Sequence, residues 1–89
     1  MTSTEMMELA RLYVVDYFNT HNIRQEPKQL TLADVYVVWF SKTLQNWKAL
    51  VSTTVPDGIY YEITYNGDKK ETYVDVYKKF ENIKIKDAT

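Results

Sequence analysis

The chain has 89 residues, the size of one domain, and it contains no cysteine, which excludes disulfides and thiolate chemistry. Apolar residues make up 45% of the composition and charged residues 26%, which is typical of a folded globular protein and not of a disordered one. The formal net charge of −1 argues against non-specific nucleic-acid binding, because such binding requires many phosphates to be neutralised.

The first predicted element is a helix over about residues 3–20. Thr2 and Glu5 have the spacing of a capping box, in which each side chain accepts a hydrogen bond from the other residue's backbone N–H. Apolar side chains at helical spacing predict one broad buried face; they include Met6, Met7, Leu9, Ala10, Tyr13, Val14, Tyr17 and Phe18. We expect neither a signal peptide nor a membrane span, because no apolar run approaches the required length.

A polar connection over residues 23–30 follows the helix. Thr31 and Asp34 repeat the capping-box spacing, so residues 32–34 are candidates for one helical turn. The pattern then alternates with a period of two and predicts four strands, at about residues 35–41, 46–53, 59–65 and 71–80. Their short connections favour antiparallel neighbours. The predicted fold class is therefore α+β, with the helix on one face of a four-stranded antiparallel meander.

The turn residues indicate the strand registers. Pro56, Asp57 and Gly58 suit a three-residue loop with Gly58 in the left-handed region, and this loop pairs Val51 with Ile63. The length of each loop also decides which face the following side chains occupy, since a slip of one residue flips all of them.

The last hairpin leaves two loops open. A two-residue turn at Asn66 and Gly67 sets Glu62 opposite Glu71, which is an unfavourable like-charge pair. A four-residue loop over residues 66–69 sets Glu62 opposite Tyr73 and is preferred. Both loops have an even length, so both give the same faces.

The first turn is taken as a three-residue loop, which places Val35, Val37 and Trp39 on the core face. One helix can cover only one face of the sheet, and the other face should then be mainly polar. Here it is rich in aromatic residues, which favours an interface. The candidate interface residues are Tyr36, Val38, Phe40, Leu50, Tyr60, Tyr73 and Tyr77. The alternative is that residues 23–30 and the C-terminal tail fold over this face.

The first strand has an unusual sequence for its place in the fold. Residues 35–40 are apolar on both faces, yet a meander puts this strand at an edge, where exposed apolar residues favour aggregation. Residues 80–85, residues 23–30 or a second copy of the chain could cover it. Residues 81–86 could also continue the last strand or add a fifth one. Our specific expectation is a homodimer formed through the first strand.

The sequence carries little catalytic chemistry. His21 is the only histidine; Asp16 or Asp34 could orient it, but no nucleophile lies beside it. No spacing of ligands suits a metal, and the two glycines lie at turns and not in a phosphate-binding loop. We therefore predict a protein that is not an enzyme, with no catalytic residues, no metal and no cofactor.

Three segments carry a resemblance to a known family: DVYVVWFSKTLQNWKAL at residues 34–50, DGIYYEITYNGDK at 57–69 and YVDVYKKFEN at 73–82. They resemble small proteins of unknown function from phages and prophages of Gram-positive bacteria. This resemblance implies an accessory phage protein in the bacterial cytoplasm that binds a host or defence protein, including CRISPR or restriction machinery.

Protein–protein binding is thus the leading hypothesis. The alternative is a small nucleic-acid-binding module that uses the aromatic outer face of the sheet, because such platforms stack bases. A third hypothesis, an enzyme or small-ligand binder, requires a pocket with convergent polar groups.

Overall fold

The computed structural model describes residues 1–21 and 29–87 of the chain. One helix, α1 (Ser3–Thr20), packs against one face of a four-stranded antiparallel sheet, so the predicted α+β class is confirmed. The strands follow one another in space in chain order: β1 (Val35–Thr43), β2 (Asn46–Thr53), β3 (Ile59–Asn66) and β4 (Glu71–Lys78). Within the described residues, no helix is long and apolar enough to cross a membrane.

Both predicted capping boxes form. The Glu5 N–H donates to Thr2 Oγ1 at 3.1 Å, and the Thr2 N–H donates to Glu5 Oε1 at 2.9 Å. The bond from the Thr2 backbone lowers the pKa of the Glu5 carboxyl, because it stabilises the charged form. The Thr31 N–H donates to Asp34 Oδ2 at 3.0 Å, and a 3-10 turn follows at Leu32–Asp34. The predicted helical turn at residues 32–34 is therefore confirmed.

The core lies between α1 and the facing side of the sheet. Alternate residues of β2 and β3 point to this side because side chains in a strand alternate between faces. The buried apolar residues are Met6, Ala10, Val14, Leu30, Val35, Trp47, Ala49, Val51, Tyr61 and Ile63. The helix and the sheet thus bury one another, and the opposite face of the sheet stays open.

Asn19 fixes the point at which the chain rejoins the core. Its Nδ2 donates to the Leu30 carbonyl oxygen at 3.1 Å, and the Leu30 N–H donates to Asn19 Oδ1 at 2.8 Å. The two bonds hold the buried Leu30 against the core. The predicted polar connection over residues 23–30 lies outside the described residues as far as residue 28.

We expect Asn19→Ala to lower the free energy of unfolding by about 1–3 kcal/mol, because it leaves the N–H and the carbonyl of Leu30 unpaired in a partly buried place. Thr20→Ala, at the exposed neighbouring position, serves as the control and should change it by about 0.5 kcal/mol or less. Urea unfolding measures both variants. Equal changes in the free energy of unfolding for the two variants would show that the hydrogen bonds between Asn19 and Leu30 do not stabilise the fold.

The first hairpin closes differently from the prediction. A two-residue turn, Leu44 and Gln45, joins the strands and sets Thr43 opposite Asn46, so the expected three-residue loop is wrong. Leu44 adopts a φ of 55°, which a leucine rarely does. A sequence pattern therefore gives little reason to expect this tight turn.

A β-bulge at Val38 follows from that turn. Near the start of β1, Val37 lies opposite Val51, and the Thr54 N–H donates to the Asp34 carbonyl oxygen at 2.8 Å. The pairing of Val37 with Val51 sets one register, and the pairing of Thr43 with Asn46 at the turn sets another that differs from it by one residue. The ladder accommodates the difference by inserting one extra residue into β1, between Val37 and Trp39.

The bulge exchanges the faces of Trp39 and Phe40. Phe40 lies opposite Ala49 on the core face, with its ring centroid 6.0 Å from that of Trp47. Trp39 lies opposite Leu50 on the other face. The predictions that Trp39 belongs to the core and Phe40 to the outer face are wrong, because one inserted residue reverses every side chain beyond it.

The other two hairpins keep the predicted faces but not the predicted pairs. Val51 lies opposite Tyr61 and not Ile63, and Glu62 lies opposite Asp75 and not Tyr73. The loops span residues 54–58 and 67–70. A register shift of two residues leaves each side chain on its face, so the face assignments for β2, β3 and β4 hold. Gly58 has a φ of 70°, which confirms the left-handed turn position.

β4 ends at Lys78, earlier than predicted, and residues 79–87, here called the tail, form neither helix nor strand. The predicted strand extension and the fifth strand are therefore wrong. The Lys79 N–H donates to the Gly58 carbonyl oxygen at 2.7 Å. Beyond this bond Phe80 is 98% exposed, Ile83 67% and Ile85 88%, so the tail is not packed over the sheet.

Candidate functional site

The face of the sheet opposite α1, here called the outer face, is the candidate site. Of the predicted interface residues, Tyr36, Leu50, Tyr60, Tyr73 and Tyr77 lie on it. Val38 lies in the bulge at the β1 edge and is exposed, whereas Phe40 points into the core. Trp39 occupies the place that was predicted for Phe40, so the face keeps its aromatic character.

A row of three tyrosines crosses the whole sheet. Tyr36 on β1 lies opposite Ser52 on β2, which lies opposite Tyr60 on β3, which lies opposite Tyr77 on β4. Directly opposed side chains are about 4.5–5.5 Å apart at Cβ, so the row forms one continuous strip. Tyr36 and Tyr77 at its two ends are each about half exposed, whereas the small Ser52 is buried.

The next row changes from apolar to acidic. Trp39 on β1 lies opposite Leu50 on β2, followed by Glu62 on β3 and Asp75 on β4. Lys48 Nζ lies 3.5 Å from Glu62 Oε1, so the positive charge of Lys48 offsets the negative charge of Glu62. Within residues 1–21 and 29–87 no ion pair reaches Asp75. This row therefore presents an indole ring at one edge of the sheet and a net negative charge at the other.

Tyr73 lies on the outer face near the start of β4. It lies opposite Thr64, and its hydroxyl donates a hydrogen bond to the Glu71 carboxylate two residues earlier. This bond raises the pKa of the Tyr73 hydroxyl, because it stabilises the protonated form. The ring is thus held over its own strand while half of its surface remains exposed.

A cavity of about 360 Å³ lies where the end of α1 meets the sheet. The His21 ring stacks on Tyr17 with centroids 4.2 Å apart. Burial, the Asp57 carboxylate and Tyr17 together raise the pKa of Tyr61 to about 12, so its hydroxyl keeps its proton above the pH at which an ordinary tyrosine ionises. The lining residues are Tyr17, Phe18, His21, Pro56, Asp57, Ile59, Tyr61 and Lys78. The volume is within the range of small-molecule sites, which gives the small-ligand hypothesis a location.

In the part of the chain that the structure describes, no group of three or more histidine, aspartate or glutamate side chains is close enough to hold a metal ion.

Sequence reasoning missed Trp39 and the cavity. The face of Trp39 depends on a turn at Leu44 and a bulge at Val38, and neither has a composition signal of the kind that glycine or Asn-Gly provides. The cavity joins the end of α1 to Asp57 and Tyr61, which lie far away in the sequence. Only the packing of the helix on the sheet brings these groups together.

In comparison with known proteins, residues 7–87 match the model of a family described as a family of unknown function (DUF6275). No curated protein and no solved structure matches the chain. The matched residues run from α1 through all four strands into the tail, so they include the outer face. The chain therefore belongs to the family of unknown function DUF6275.

Proposed function

We propose that this protein is a non-enzymatic phage accessory protein that acts by binding another protein through the outer face of its sheet. The observation that carries the proposal is the exposure of the aromatic rings there. Tyr36 is 51% exposed, Trp39 42%, Tyr73 50% and Tyr77 50%. A free sheet face is normally polar. A contiguous patch of large rings is instead typical of an interface, where tyrosine and tryptophan provide apolar area together with a polar tip.

The proposed partner is a host or anti-phage defence protein in the cytoplasm of the bacterial cell. The resemblance of residues 34–82 to phage and prophage proteins supports this context. The second row of the outer face supports the chemistry of the contact. Lys48 pairs with Glu62, and no ion pair within the described residues reaches Asp75, so a partner that places an arginine or lysine over Asp75 would complete the charge balance.

The double variant Tyr60→Ser/Tyr73→Ser tests this proposal. We expect it to remain folded and to lower affinity for the partner by about thirtyfold or more, since the loss of a single tyrosine that is buried at the centre of an interface commonly costs about 2 kcal/mol. The partner is first identified by affinity capture from infected host lysate. Its dissociation constant is then measured with the purified proteins by calorimetry.

The matched control is Leu12→Ser/Leu44→Ser, which removes two exposed apolar side chains that lie away from the outer face. It should retain the partner with unchanged affinity. If the tyrosine variant is folded and binds the partner as tightly as the wild type does, the outer face is not the interface.

We also propose a homodimer that pairs through β1. This strand lies at an edge of the described sheet and carries the exposed side chains Tyr36, Val38 and Trp39. A long apolar edge of this kind is normally covered. The homodimer and the outer-face contact are separate claims, since the first uses the main-chain groups at the edge of β1 and the second uses the rings across the face of the sheet.

The alternative function, a single-stranded nucleic-acid platform, has weaker support from the outer face. Base-stacking sheets surround their rings with basic side chains. Here Glu62 on β3 and Asp75 on the edge strand β4 lie among the rings, while Lys78 lies opposite Ile59 on the core side and lines the cavity. Binding of single-stranded DNA or RNA oligonucleotides that weakens steeply with salt would favour this alternative over the protein partner.

A further inference from the structure

We propose that two copies of the chain exchange their tails, with the tail of each copy adding a strand to the β1 edge of the other. This inference deepens the proposed homodimer, on which it rests, and it does not depend on the outer-face contact. Three features of the structure carry it: a strand edge that no other described strand pairs with, a groove beside the start of that edge, and a segment with apolar side chains that the rest of the described chain does not bury.

The free edge begins after Val35. The Val35 carbonyl oxygen accepts a hydrogen bond from Arg11 Nε at 2.9 Å, so α1 already occupies the first position of the edge. β1 pairs only with β2 in the described sheet. Within the described residues no strand pairs with the outward-facing N–H and carbonyl groups of residues 37–43, so an added strand could bond to them, and its main-chain bonds would supply affinity without requiring a deep pocket.

A groove runs beside this edge, between the flank of α1 and the start of β1. Its volume is about 380 Å³, and its lining residues are Thr4, Met7, Glu8, Arg11, Val35, Tyr36 and Val37. A strand added to β1 would direct every second side chain toward α1 and hence into this groove. The occupant should therefore carry apolar residues two positions apart.

The tail has this pattern. Ile83 and Ile85 are two residues apart, they are 67% and 88% exposed, and the fully exposed Phe80 is in the opposite phase. With the isoleucines in the groove, Phe80 would lie on the outer side, near Val38 and Trp39.

The tail of the same chain cannot make this contact fully. β4 and β1 lie at opposite edges of the sheet, about 14 Å apart for three strand spacings of about 4.8 Å. The crossing would use about four residues at about 3.3 Å each, which consumes residues 80–83 and takes Ile83 out of the groove. A second copy can approach β1 from outside and use the whole tail. A two-fold axis then makes the exchange reciprocal and closed.

The test compares the full chain with Ile83→Lys/Ile85→Lys by size-exclusion chromatography with light scattering over a range of concentrations. We expect the full chain to have twice the 10.6 kDa mass of one chain. The variant should raise the dimer dissociation constant about a hundredfold or more, because the two substitutions remove the apolar side chains that would be buried in both grooves of the dimer. Both isoleucines are exposed within one chain, so the variant should keep the far-ultraviolet circular dichroism of the wild type.

The matched control is Glu81→Gln/Asn82→Lys, which changes the net charge by the same amount at neighbouring polar positions of the tail. It should remain dimeric. Amide hydrogen exchange supplies a second measurement: residues 37–43 should be protected in the full chain and should lose protection in the isoleucine variant.

A monomeric full chain would overturn the exchange. So would a dimer that resists the isoleucine substitutions, or a control that dissociates equally. The variant Tyr60→Ser/Tyr73→Ser should stay dimeric, so that failure of the outer-face proposal and failure of the tail exchange give different results.

Discussion

Replacing Trp47 with alanine is expected to lower the free energy of unfolding by about 3–5 kcal/mol. Trp47 is 4% exposed and lies on the core face of β2. Its ring centroid lies 5.8 Å from that of Tyr65 and 6.0 Å from that of Phe40, so it joins the aromatic side chains of three strands. Total stabilities of small domains are about 5–15 kcal/mol, so Trp47→Ala should remove a large part of the cooperative fold. Urea unfolding followed by circular dichroism measures the effect.

Trp39→Ala is the matched control, because it makes the same substitution in the same sheet on the opposite face. Trp39 is half exposed and lies opposite Leu50, so its loss should cost about 1 kcal/mol or less. The comparison also tests the bulge. Without the extra residue at Val38, Trp39 would point to the core and the two variants would be similarly destabilised. Similar losses for both would therefore contradict the register of β1.

The stability of the protein is expected to fall between about pH 10 and pH 12 because of Tyr61. Burial is the main cause that raises the pKa of Tyr61, from 10.0 to about 12, and the Asp57 carboxylate adds to it. Below pH 10 the folded and unfolded states both hold the proton, so this residue produces no pH dependence. Above pH 10 the unfolded state releases the proton first, and alkali therefore favours unfolding until the folded state also ionises near pH 12.

The full difference in pKa corresponds to about 2.7 kcal/mol. Tyr61 lines an open cavity, so solvent screening should reduce the loss to about 1–2 kcal/mol. Tyr61→Phe should remove this part of the alkaline loss, as measured by urea unfolding at a series of pH values from 9 to 12. Tyr77→Phe, which deletes an exposed hydroxyl on the outer face, should leave the pH dependence of the wild type. An unchanged slope in Tyr61→Phe would show that the Tyr61 hydroxyl is not protected by burial.

Local interactions and side-chain periodicity account for what the sequence by itself determined. The capping box of Thr2 and Glu5 forms because both partners lie within one turn of the chain. Gly58 adopts its left-handed φ because glycine lacks the Cβ that disfavours it. The faces of β2, β3 and β4 could also be predicted, because loops that differ by two residues preserve the alternation of side chains. The tyrosines of the candidate site on β3 and β4 were found in this way.

Only the tertiary structure decided the bulge in β1, the contact of α1 with its edge and the exposure of the tail. Each of these features depends on contacts between residues that are distant in the sequence. The turn at Leu44 fixes one end of β1, and the bond from Thr54 to Asp34 fixes the other, so Val38 must bulge and Trp39 must turn outward. Arg11 closes the first position of the β1 edge from a helix 24 residues away in the sequence. The exposed tail depends on β4 ending at Lys78 at the edge opposite β1. Alternation of residue types carries no information on which edge of the sheet a segment will reach, and the proposed homodimer depends on that placement.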